Sequence, residues 1–388
     1  MNSFLTTDER NQLIGWRRDF HKHPELGYQE MRTSSIVAQH LEQCGYQVIK
    51  GVGGTGVVGL LHGSASGRTV MLRADMDCLP VTEENNVPYC SQNSGRMHAC
   101  GHDGHTAVLM ATARKLAEKK EKFAGNIKLV FQPAEEGGNG AERMVQDGVL
   151  ENPRVDAAFG LHVWNDIPVG KVALNPGALM AGVHSFEATI LGKGGHGAVP
   201  HQTVDAIVTA AQAIVNLQTV ISRNVDPLET AVVTVGSIHA GNAFNVIAEK
   251  ATFSGTARYF SPEVGDLLPA CIERVIRGTT ESMGANYELK YERMTPPTIN
   301  HPDMAEFIRQ ICSEIVGSEN VIMDARTMGG EDMAFFLNEV PGCYFFIGSA
   351  NEKRNLHFPH HSPRFDFDEA ALEIGVEILC RTVEKFLA

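Results

Sequence analysis

The sequence predicts an α/β protein: a mostly parallel-sheet domain with helices on both faces, interrupted by a small inserted α+β domain. Three observations support this prediction. The first half of the chain alternates short apolar runs with stretches of helical spacing, as parallel sheets covered by helices do. The middle of the chain changes to runs in which apolar and polar residues alternate. The last part returns to the pattern of the first.

Periodicity defines the elements of the first part. Helical spacing over residues 10–22 and 32–44 predicts two helices, and Gly45 is a suitable residue to end the second. Residues 106–119 predict a third helix, because the apolar residues fall on one face and the last turn is rich in lysine. Four apolar runs predict strands, at 57–61, 69–72, 127–131 and 157–161.

The inserted domain follows from a β-α-β-β-α-β order of elements. Five of these six elements have assigned ranges, namely 183–191, 205–217, 231–238, 251–259 and 263–277, of which the second and the last are helices. The two prolines in residues 295–298 predict a rigid linker, and a helix at 303–316, a strand at 344–347 and a helix at 369–386 follow. We therefore expect a first domain of residues 1–180 and 296–388, interrupted by a second domain of residues 181–295.

Composition excludes several classes of function. With 33 basic and 46 acidic residues the net charge is −13, which argues against nucleic acid or an anionic membrane as the main partner. No stretch approaches the roughly 18 apolar residues that a membrane-spanning helix needs. The eight cysteines are too sparse and irregular for a disulfide scaffold. We expect a cytoplasmic protein.

The strongest chemical signal lies in residues 98–105, where three histidines, a cysteine and an aspartate crowd into eight residues directly before a predicted helix. Cys100 and His102 are two residues apart, so in an extended loop both side chains can point the same way. Thiolate and imidazole are common ligands of divalent metal ions. A polar turn that only caps the helix is the alternative, but it does not account for the cysteine between the histidines.

A second signal is the carboxylate pair Glu135 and Glu136, which follows a predicted strand. Adjacent carboxylates at a strand end point in different directions, so one can hold a metal ion while the other takes a proton from water. A solvated acidic turn is the alternative for this pair taken alone.

The positions of these residues relative to the strands favour a single site. Ligands of open parallel sheets gather outside the carboxyl ends of the strands. Metal-capable side chains follow each predicted strand end in turn: Asp75 and Asp77, then Glu135 and Glu136, then His162, then His357, His360 and His361. Such a set is large enough for two metal ions at about 3.5–4 Å from each other.

Other patterns are weaker or absent. His196 lies in the glycine-rich residues 192–201, where a histidine flanked by glycines is more often structural, and no Gly-Lys-Ser/Thr follows to indicate phosphate binding. The sequence has no Gly-x-Ser-x-Gly segment of a serine hydrolase. A Cys-x-x-Cys pair, as in redox or structural zinc sites, is missing too.

On the basis of these segments and several others, the chain resembles the M20 metallopeptidase family. It is most similar to the amidohydrolase branch, which includes hippurate hydrolases, indole-acetyl-amino-acid hydrolases and N-acyl-amino-acid deacetylases. The segments that carry the resemblance occur in family order along nearly the whole chain: 21–27, 73–80, 98–105, 132–137, 192–201, 245–247, 330–332 and 361–365. The sequence departs from the family pattern at Ala248, where proline is common, and at Met333, where phenylalanine is usual.

The resemblance implies a catalytic domain interrupted by a lid domain that usually forms a dimer. The metal ligands that it implies are Cys100, His102, Glu136, His162 and His361. It also implies Glu135 as general base and an acidic residue near the metals, for which Asp75 and Asp77 both fit. His360 remains an alternative to His361. The implied substrate contacts are His196, often from the partner subunit, together with Asn245 and Arg258.

The activity that the resemblance implies is hydrolysis of the amide bond of an N-acyl amino acid to a carboxylic acid and a free amino acid. Two divalent ions per subunit, Mn²⁺, Zn²⁺ or Co²⁺, would serve as cofactors, and we expect a homodimer formed through the lid domain. A dipeptidase or aminopeptidase on the same scaffold is the alternative; it would require a free α-amine on the substrate. The acyl group, the amino-acid side chain and its chirality stay open at this stage.

Overall fold

The structure is a computed structural model and describes residues 4–388. These residues divide into two compact units. The first consists of the residues through Leu179 together with Thr298–Arg326 and Asp332–Ala388. The second consists of Met180–Pro297 and Thr327–Glu331. Within residues 4–388, no helix combines the length and the apolar character that crossing a membrane would require.

The predicted domain limits differ from these units at Met180, Pro296 and Pro297, which belong to the second unit, and in one longer segment. Residues 327–331 were expected in the first domain, 296–388, but they belong to the second unit. A backbone bridge joins Met180 to Thr327, and the Ala181 amide donates to the Gly329 carbonyl at 2.9 Å. The prediction was wrong here because such pairing between distant parts of the chain leaves no local pattern in the sequence.

The strands of the described residues are, in chain order, β1 (Gln47–Val52), β2 (Gly56–His62), β3 (Ala65–Asp75), β4 (Ala124–Gln132), β5 (Ala157–Pro168), β6 (Val172–Ala173), β7 (Ala178–Met180), β8 (Gly182–Leu191), β9 (Gly195–His196), β10 (Ala231–Ala240), β11 (Val246–Ile247), β12 (Lys250–Tyr259), β13 (Asn286–Thr295), β14 (Thr298–Ile299), β15 (Val321–Ile322) and β16 (Gly342–Ala350).

The α-helices of the same residues are α1 (Thr7–Lys22), α2 (Met31–Gln43), α3 (His102–Ala117), α4 (Glu135–Gly138), α5 (Gly140–Gln146), α6 (Ala206–Asn224), α7 (Pro262–Ser282), α8 (Pro302–Val316), α9 (Met333–Glu339) and α10 (Ala370–Phe386).

The first unit is built on one large sheet with the strand order β1-β2-β4-β3-β5-β16-β6-β15. Its four central strands, β4, β3, β5 and β16, run parallel to one another. On either side of them, β2 pairs with β4 and β6 pairs with β16 in antiparallel fashion. β16 is buried over nearly its whole length and β5 is buried from Ala157 to Val163, as expected for parallel strands covered on both faces. The predicted fold class is therefore confirmed.

Side chains along β3 alternate between the two faces of the large sheet, and the two faces have different contacts. Val70, Leu72 and Ala74 belong to the main hydrophobic core, on the side where α3 packs. Arg73 points to the other face, where it bonds Asp332 at the start of α9 at 3.0 Å. Asp332 also accepts the Ala141 amide of α5 at 3.0 Å. Apolar packing thus covers one face of β3, and a buried ionic network helps to hold helices on the other.

The second unit contains an antiparallel sheet of order β10-β12-β8-β13. Phe186, Ala188 and Ile190 on β8 alternate into a core with small residues of α6, among them Ala210 and Ala213. The Asp205 side chain accepts the first amides of α6 and fixes where that helix begins. The unit therefore has the β-α-β-β-α-β order that the sequence predicted, with the short β9 and β11 added.

Two element limits that bear on the site differ from the predictions. The strand expected at 157–161 continues to Pro168 as β5, so His162 lies inside a strand and pairs with Phe346 of β16. The helix expected at 106–119 begins at His102. It begins early because Gly101 adopts a left-handed φ of 93°, and a Cβ at this position would lie 2.4 Å from Val163 Cγ2. Only glycine suits such a turn.

Candidate metal centre

Metal-capable side chains of the first unit form overlapping groups where β3 and β4 end. Within each group the ligand atoms lie within 4.8 Å of one another. The groups that contain predicted ligands are Cys100–His102–His162, Cys100–Glu136–His361, His102–Glu135–Glu136 and Asp75–His102–His105. Because Cys100, His102 and Glu136 recur among the groups, the five predicted ligands come together in one cluster with Glu135 beside them.

His102 presents one ring nitrogen to this cluster. Its Nδ1 lies 2.9 Å from the Asp77 carbonyl oxygen, and since a carbonyl only accepts, Nδ1 carries the proton. The other nitrogen, Nε2, is buried and has no hydrogen-bond partner. A buried ring nitrogen without a hydrogen-bond partner is costly unless a proton or a metal ion occupies it. The ring is therefore held in the orientation and tautomer that a metal ligand needs.

His162 is held in the same way from the middle of β5. Its Nδ1 donates to the Val163 carbonyl at 2.6 Å, which leaves Nε2 facing the Cys100 sulfur at 3.5 Å. Burial, with a contribution from His105, holds the pKa of His162 well below its usual value, so the ring is neutral. Both histidines thus offer Nε2 to the same small volume.

Glu136 and His361 form the more open side of the cluster. His361 Nε2 lies 3.3 Å from Glu136 Oε1, and the interaction with this carboxylate raises the pKa of His361. The Glu136 amide donates to Asp77 Oδ2 at 2.9 Å. The His361 side chain is 55% exposed, whereas that of Glu136 is 16% exposed.

The two aspartates that the sequence left open have different surroundings. Asp77 contacts two predicted ligands, because its carbonyl and carboxylate oxygens lie 2.9 and 3.2 Å from His102 Nδ1 and its other carboxylate oxygen accepts the Glu136 amide. Asp75 pairs instead with Arg73 at 2.7 Å and with His105 Nδ1 at 2.6 Å. Burial acts to raise the pKa of Asp75, but His102, Arg73 and His105 hold it well below the usual value.

His105 was not assigned a role from the sequence, although it belongs to the 98–105 cluster. With its Nδ1 on Asp75, its Nε2 accepts the Val163 amide at 2.9 Å. It lies three residues after His102 on α3, so the two rings project from the same face of the helix. His105 therefore links Asp75 to the segment of β5 that carries His162.

His360 and His361 also differ. His360 Nε2 accepts the Asn165 amide at 3.2 Å, and its Nδ1 lies 3.9 Å from the Cys100 sulfur. Its Nε2 is thus occupied, whereas His361 Nε2 faces Glu136 and belongs to a group of metal-capable atoms. The geometry favours His361 of the two as the ligand.

The charge balance of the cluster fits a divalent cation. Burial and the charges of Glu136 and Glu135 raise the pKa of the Cys100 thiol well above its usual value, so a nearby cation is needed to keep a thiolate. Burial alone would lower the pKa of His102, but Asp75 and Asp77 raise it to about 10. The carboxylates thus attract positive charge, and the sulfur, nitrogen and oxygen donors suit Zn²⁺, Mn²⁺ or Co²⁺.

The predicted substrate residues lie in the second unit. His196 and Asn245 come together there: β9 pairs His196 with Val246, and the Gly197 amide donates to the Asn245 carbonyl at 2.9 Å. His196 Nδ1 accepts the Ala198 amide at 3.0 Å, so in the neutral ring the exposed Nε2 carries the proton. Arg258 is not grouped with them, since it lies near the far end of β12 and bonds Thr256 and the Met328 carbonyl.

Comparison with known proteins gives a consistent result. The family model described as peptidase family M20/M25/M40 matches residues 71–385. The IAA-amino acid hydrolase ILR1-like 4 of Arabidopsis thaliana is 40% identical over 394 residues, which cover 100% of this chain and 89% of that protein. The N-acetyl-L-cysteine deacetylase of Bacillus subtilis is 39% identical over 383 residues, covering 99% of this chain and 90% of that protein.

A solved structure agrees with these relatives. The Bacillus subtilis YXEP protein, described as a dinuclear metal binding peptidase from the M20 family, matches with a TM-score of 0.86 and 32% identity. The match covers 98% of this chain and 99% of that one. This chain therefore belongs to the peptidase family M20/M25/M40 and is a hydrolase that cleaves amide bonds.

Proposed function

We propose that this hydrolase acts on N-acyl amino acids and releases a carboxylic acid and a free amino acid. The observation that carries the proposal is the placement of Glu135 within 4.8 Å of ligand atoms of His102 and Glu136, as expected for a base beside a metal ion. The printed names of the two relatives, a hydrolase of IAA-amino acids and an N-acetyl-L-cysteine deacetylase, both describe amide bonds to an amino acid.

Cys100, His102, Glu136, His162 and His361 would hold two divalent ions, Mn²⁺, Zn²⁺ or Co²⁺. When bound, such ions polarise the scissile carbonyl and lower the pKa of water toward about 7. Asp77 is the better candidate for the acidic residue near the ligands, because it orients His102 and accepts the Glu136 amide. Asp75 would act on the ligands indirectly, by orienting His105.

Glu135 would take the proton from the attacking water and return it to the leaving amine. His196 would donate a hydrogen bond from its Nε2–H to the oxyanion of the tetrahedral intermediate, a role supported by the hydrogen bond that its Nδ1 accepts from Ala198. Asn245 would contact the substrate beside His196, and Arg258 would bind a carboxylate or carbonyl group. Following what the family resemblance implies, we include in the proposal that the partner subunit would supply His196.

A homodimer formed through the second unit, the lid domain, is part of this proposal. That unit exposes large apolar side chains, including Leu228 at 93% and Val215 at 63%, and its β10 is an unpaired edge of the sheet. Single exposed apolar residues are common, but a set with an open strand edge favours an interface. Sedimentation velocity tests it: a fully active monomer would overturn both the dimer and the contribution of His196 from a partner.

The free thiols of all eight cysteines suit a cytoplasmic location, which we include in the proposal. The net charge of −13 supports a small-molecule substrate rather than nucleic acid or a membrane surface.

A substrate panel tests the proposed activity. The purified enzyme, supplied with Mn²⁺, Zn²⁺ or Co²⁺ in turn, is assayed on N-acetyl, N-benzoyl and indole-acetyl amino acids and on free dipeptides. We expect hydrolysis of the blocked amino acids. Cleavage of free dipeptides alone would overturn the proposal in favour of a dipeptidase or aminopeptidase, because only those enzymes require the α-amine.

A further inference from the structure

The loop that carries the carboxylate pair has an unusual backbone. Ala134, directly before Glu135, has φ 49° and ψ 49°, which is a left-handed conformation for a residue with a side chain. Glu136 departs from helical geometry with ψ 73°, and Asn139 is left-handed again. Such conformations cost about 1–3 kcal/mol each and persist only where the surroundings hold them. Contacts outside the loop must therefore stabilise residues 134–139.

Residues 27–30, between α1 and α2, provide such contacts. The Ala134 amide donates to Glu30 Oε1 at 2.8 Å, and the Tyr28 hydroxyl donates to the Gly138 carbonyl at 2.5 Å. A Cβ on Gly27 would lie 2.9 Å from the Ala134 Cβ, so the two backbones are in close contact. The loop is thus fixed at Ala134 and at Gly138, on either side of Glu135 and Glu136.

Glu30 is itself held firmly. The residue is fully buried, its Oε2 accepts the Thr55 hydroxyl at 2.5 Å, and its carbonyl accepts the Ser34 amide in the first turn of α2. Burial raises the pKa of Glu30, while the hydrogen bonds from Thr55 and Ala134 act in the opposite direction. A carboxylate anchored by α2 and by the turn before β2 therefore reaches the amide that precedes the proposed base.

We propose that Glu30 is a positioning residue for Glu135 and Glu136: by holding the Ala134 amide, its carboxylate fixes the backbone from which both side chains project. The inference rests on the proposed function in that it takes Glu135 as the base and Glu136 as a metal ligand. It adds a residue that contacts neither the substrate nor a metal ion.

The test compares Glu30→Met with Glu25→Met in the full-length, metal-loaded enzyme. Methionine is similar in length to glutamate and has no oxygen to accept the Ala134 amide, whereas glutamine would keep one. Glu25 is a matched control, because its carboxylate accepts the Arg32 and Thr33 amides of α2 at 2.9 and 2.8 Å rather than an amide of the loop. For Glu30→Met we expect kcat to fall about 10- to 100-fold, as for other residues that orient metal ligands and catalytic groups. KM should stay near the wild-type value, since substrate binding is not altered. Glu25→Met should lower Tm and keep the wild-type kcat.

A second readout does not depend on a substrate. In the Co²⁺-substituted protein, the visible absorption spectrum reports the arrangement of the ligands, and we expect Glu30→Met to change it because Glu136 moves with the loop. Glu25→Met should leave the spectrum unchanged. A wild-type kcat and spectrum for Glu30→Met, or equal losses of kcat in the two variants, would overturn the inference.

A fallback variant and a separate reading of the Co²⁺ spectra complete the test. Should Glu30→Met not fold, Tyr28→Phe removes the hydrogen bond to Gly138 and becomes the deciding variant, for which a wild-type kcat and spectrum would refute the positioning role. A failure of the proposed function has a different signature: the wild-type enzyme would hydrolyse no N-acyl amino acid, while the Co²⁺ spectra would still show whether Glu30 positions the loop.

Discussion

The metal cluster of the first unit and the His196 loop of the second are both built from histidine and polar residues, but they are held differently. In the cluster, His102 and His162 are buried and each ring has its Nδ1 fixed on a backbone carbonyl. In the loop, His196 and Asn245 are exposed, and the short β9–β11 pairing fixes their backbone.

This difference in burial corresponds to two different functions, metal binding in the cluster and substrate contact in the loop. Metal ligands must converge before any ion binds, because each misplaced donor weakens coordination, and burial with hydrogen bonds supplies that order. A group that contacts substrate only during the reaction can stay in solvent until then. We therefore expect changes in the cluster to alter metal binding and stability, and changes in the loop to alter turnover alone.

Removal of the metal ions should have the largest effect. Treatment with a chelator should abolish hydrolysis, and added Mn²⁺, Zn²⁺ or Co²⁺ should restore it. Because the ligands lie in the first unit, metal at 100 times its Kd should also stabilise that unit by about 2.7 kcal/mol. Thermal unfolding with and without chelator measures this. Full activity in a metal-free sample would contradict the assignment of the cluster.

Replacement of the proposed base should come next. Glu135→Ala should reduce kcat by about 10²–10⁴-fold, as expected for the loss of a general base. Metal content, measured by elemental analysis, should stay at the wild-type value, because the five proposed ligands remain. A variant with near-wild-type kcat would show that Glu135 is not the base.

Replacement of His196 in the loop should lower turnover without affecting metal binding. His196→Ala should lower kcat by about 10²–10³-fold through loss of an oxyanion donor. Metal content and Tm should be unchanged, because the side chain is exposed. A fall in metal content in this variant would contradict the expectation that the loop affects turnover alone.

Mixed dimers of His196→Ala and Glu135→Ala subunits then test the partner's contribution. If His196 acts on the partner's site, each mixed dimer contains one intact site and activity returns on mixing. If His196 acts within its own subunit, both sites stay defective and mixing restores nothing.

A smaller effect on stability should come from the buried network behind the first turn of α3. His21 is fully buried, with Nδ1 2.8 Å from Asp103 and Nε2 3.2 Å from Glu83. Burial acts to lower its pKa, but Asp103 and Glu83 raise it from 6.5 to about 9. The charged ring therefore stabilises the fold fully below pH 6.5, and this contribution is lost as the pH rises through 9.

The size of this effect is at most about 3 kcal/mol in the free energy of unfolding. Urea unfolding at the two ends of this pH range measures it, and His21→Gln should show a weaker dependence on pH than the wild type. An unchanged dependence in the variant would mean that His21 does not carry the charge.

Much of the fold followed from local pattern. The long central strands and the helices α1, α2, α8 and α10 were found because their apolar residues repeat with a clear period. β1 was missed because it is an edge strand with mostly exposed residues, which leaves no apolar run to recognise. The ends of α3 and β5 were misplaced because Gly101 and the pairing with β16 decide them.

The candidate site, like the fold, could be predicted from the sequence in large part but not completely. The sequence indicated the metal-capable residues because they follow successive strands of one parallel sheet. It could not separate Asp75 from Asp77, since both follow the same strand and only their partners distinguish them. Glu30 gave no signal, because the amide that it holds is 104 residues away along the chain.

The sequence by itself determined the α/β class, the inserted domain and the set of side chains able to bind a metal ion, because these depend on periodicity and on residue chemistry. The tertiary structure decided which ring nitrogen each histidine offers, which aspartate supports the ligands and why His361 rather than His360 faces Glu136. Those choices depend on hydrogen bonds between distant segments, and such bonds exist only once the chain has folded.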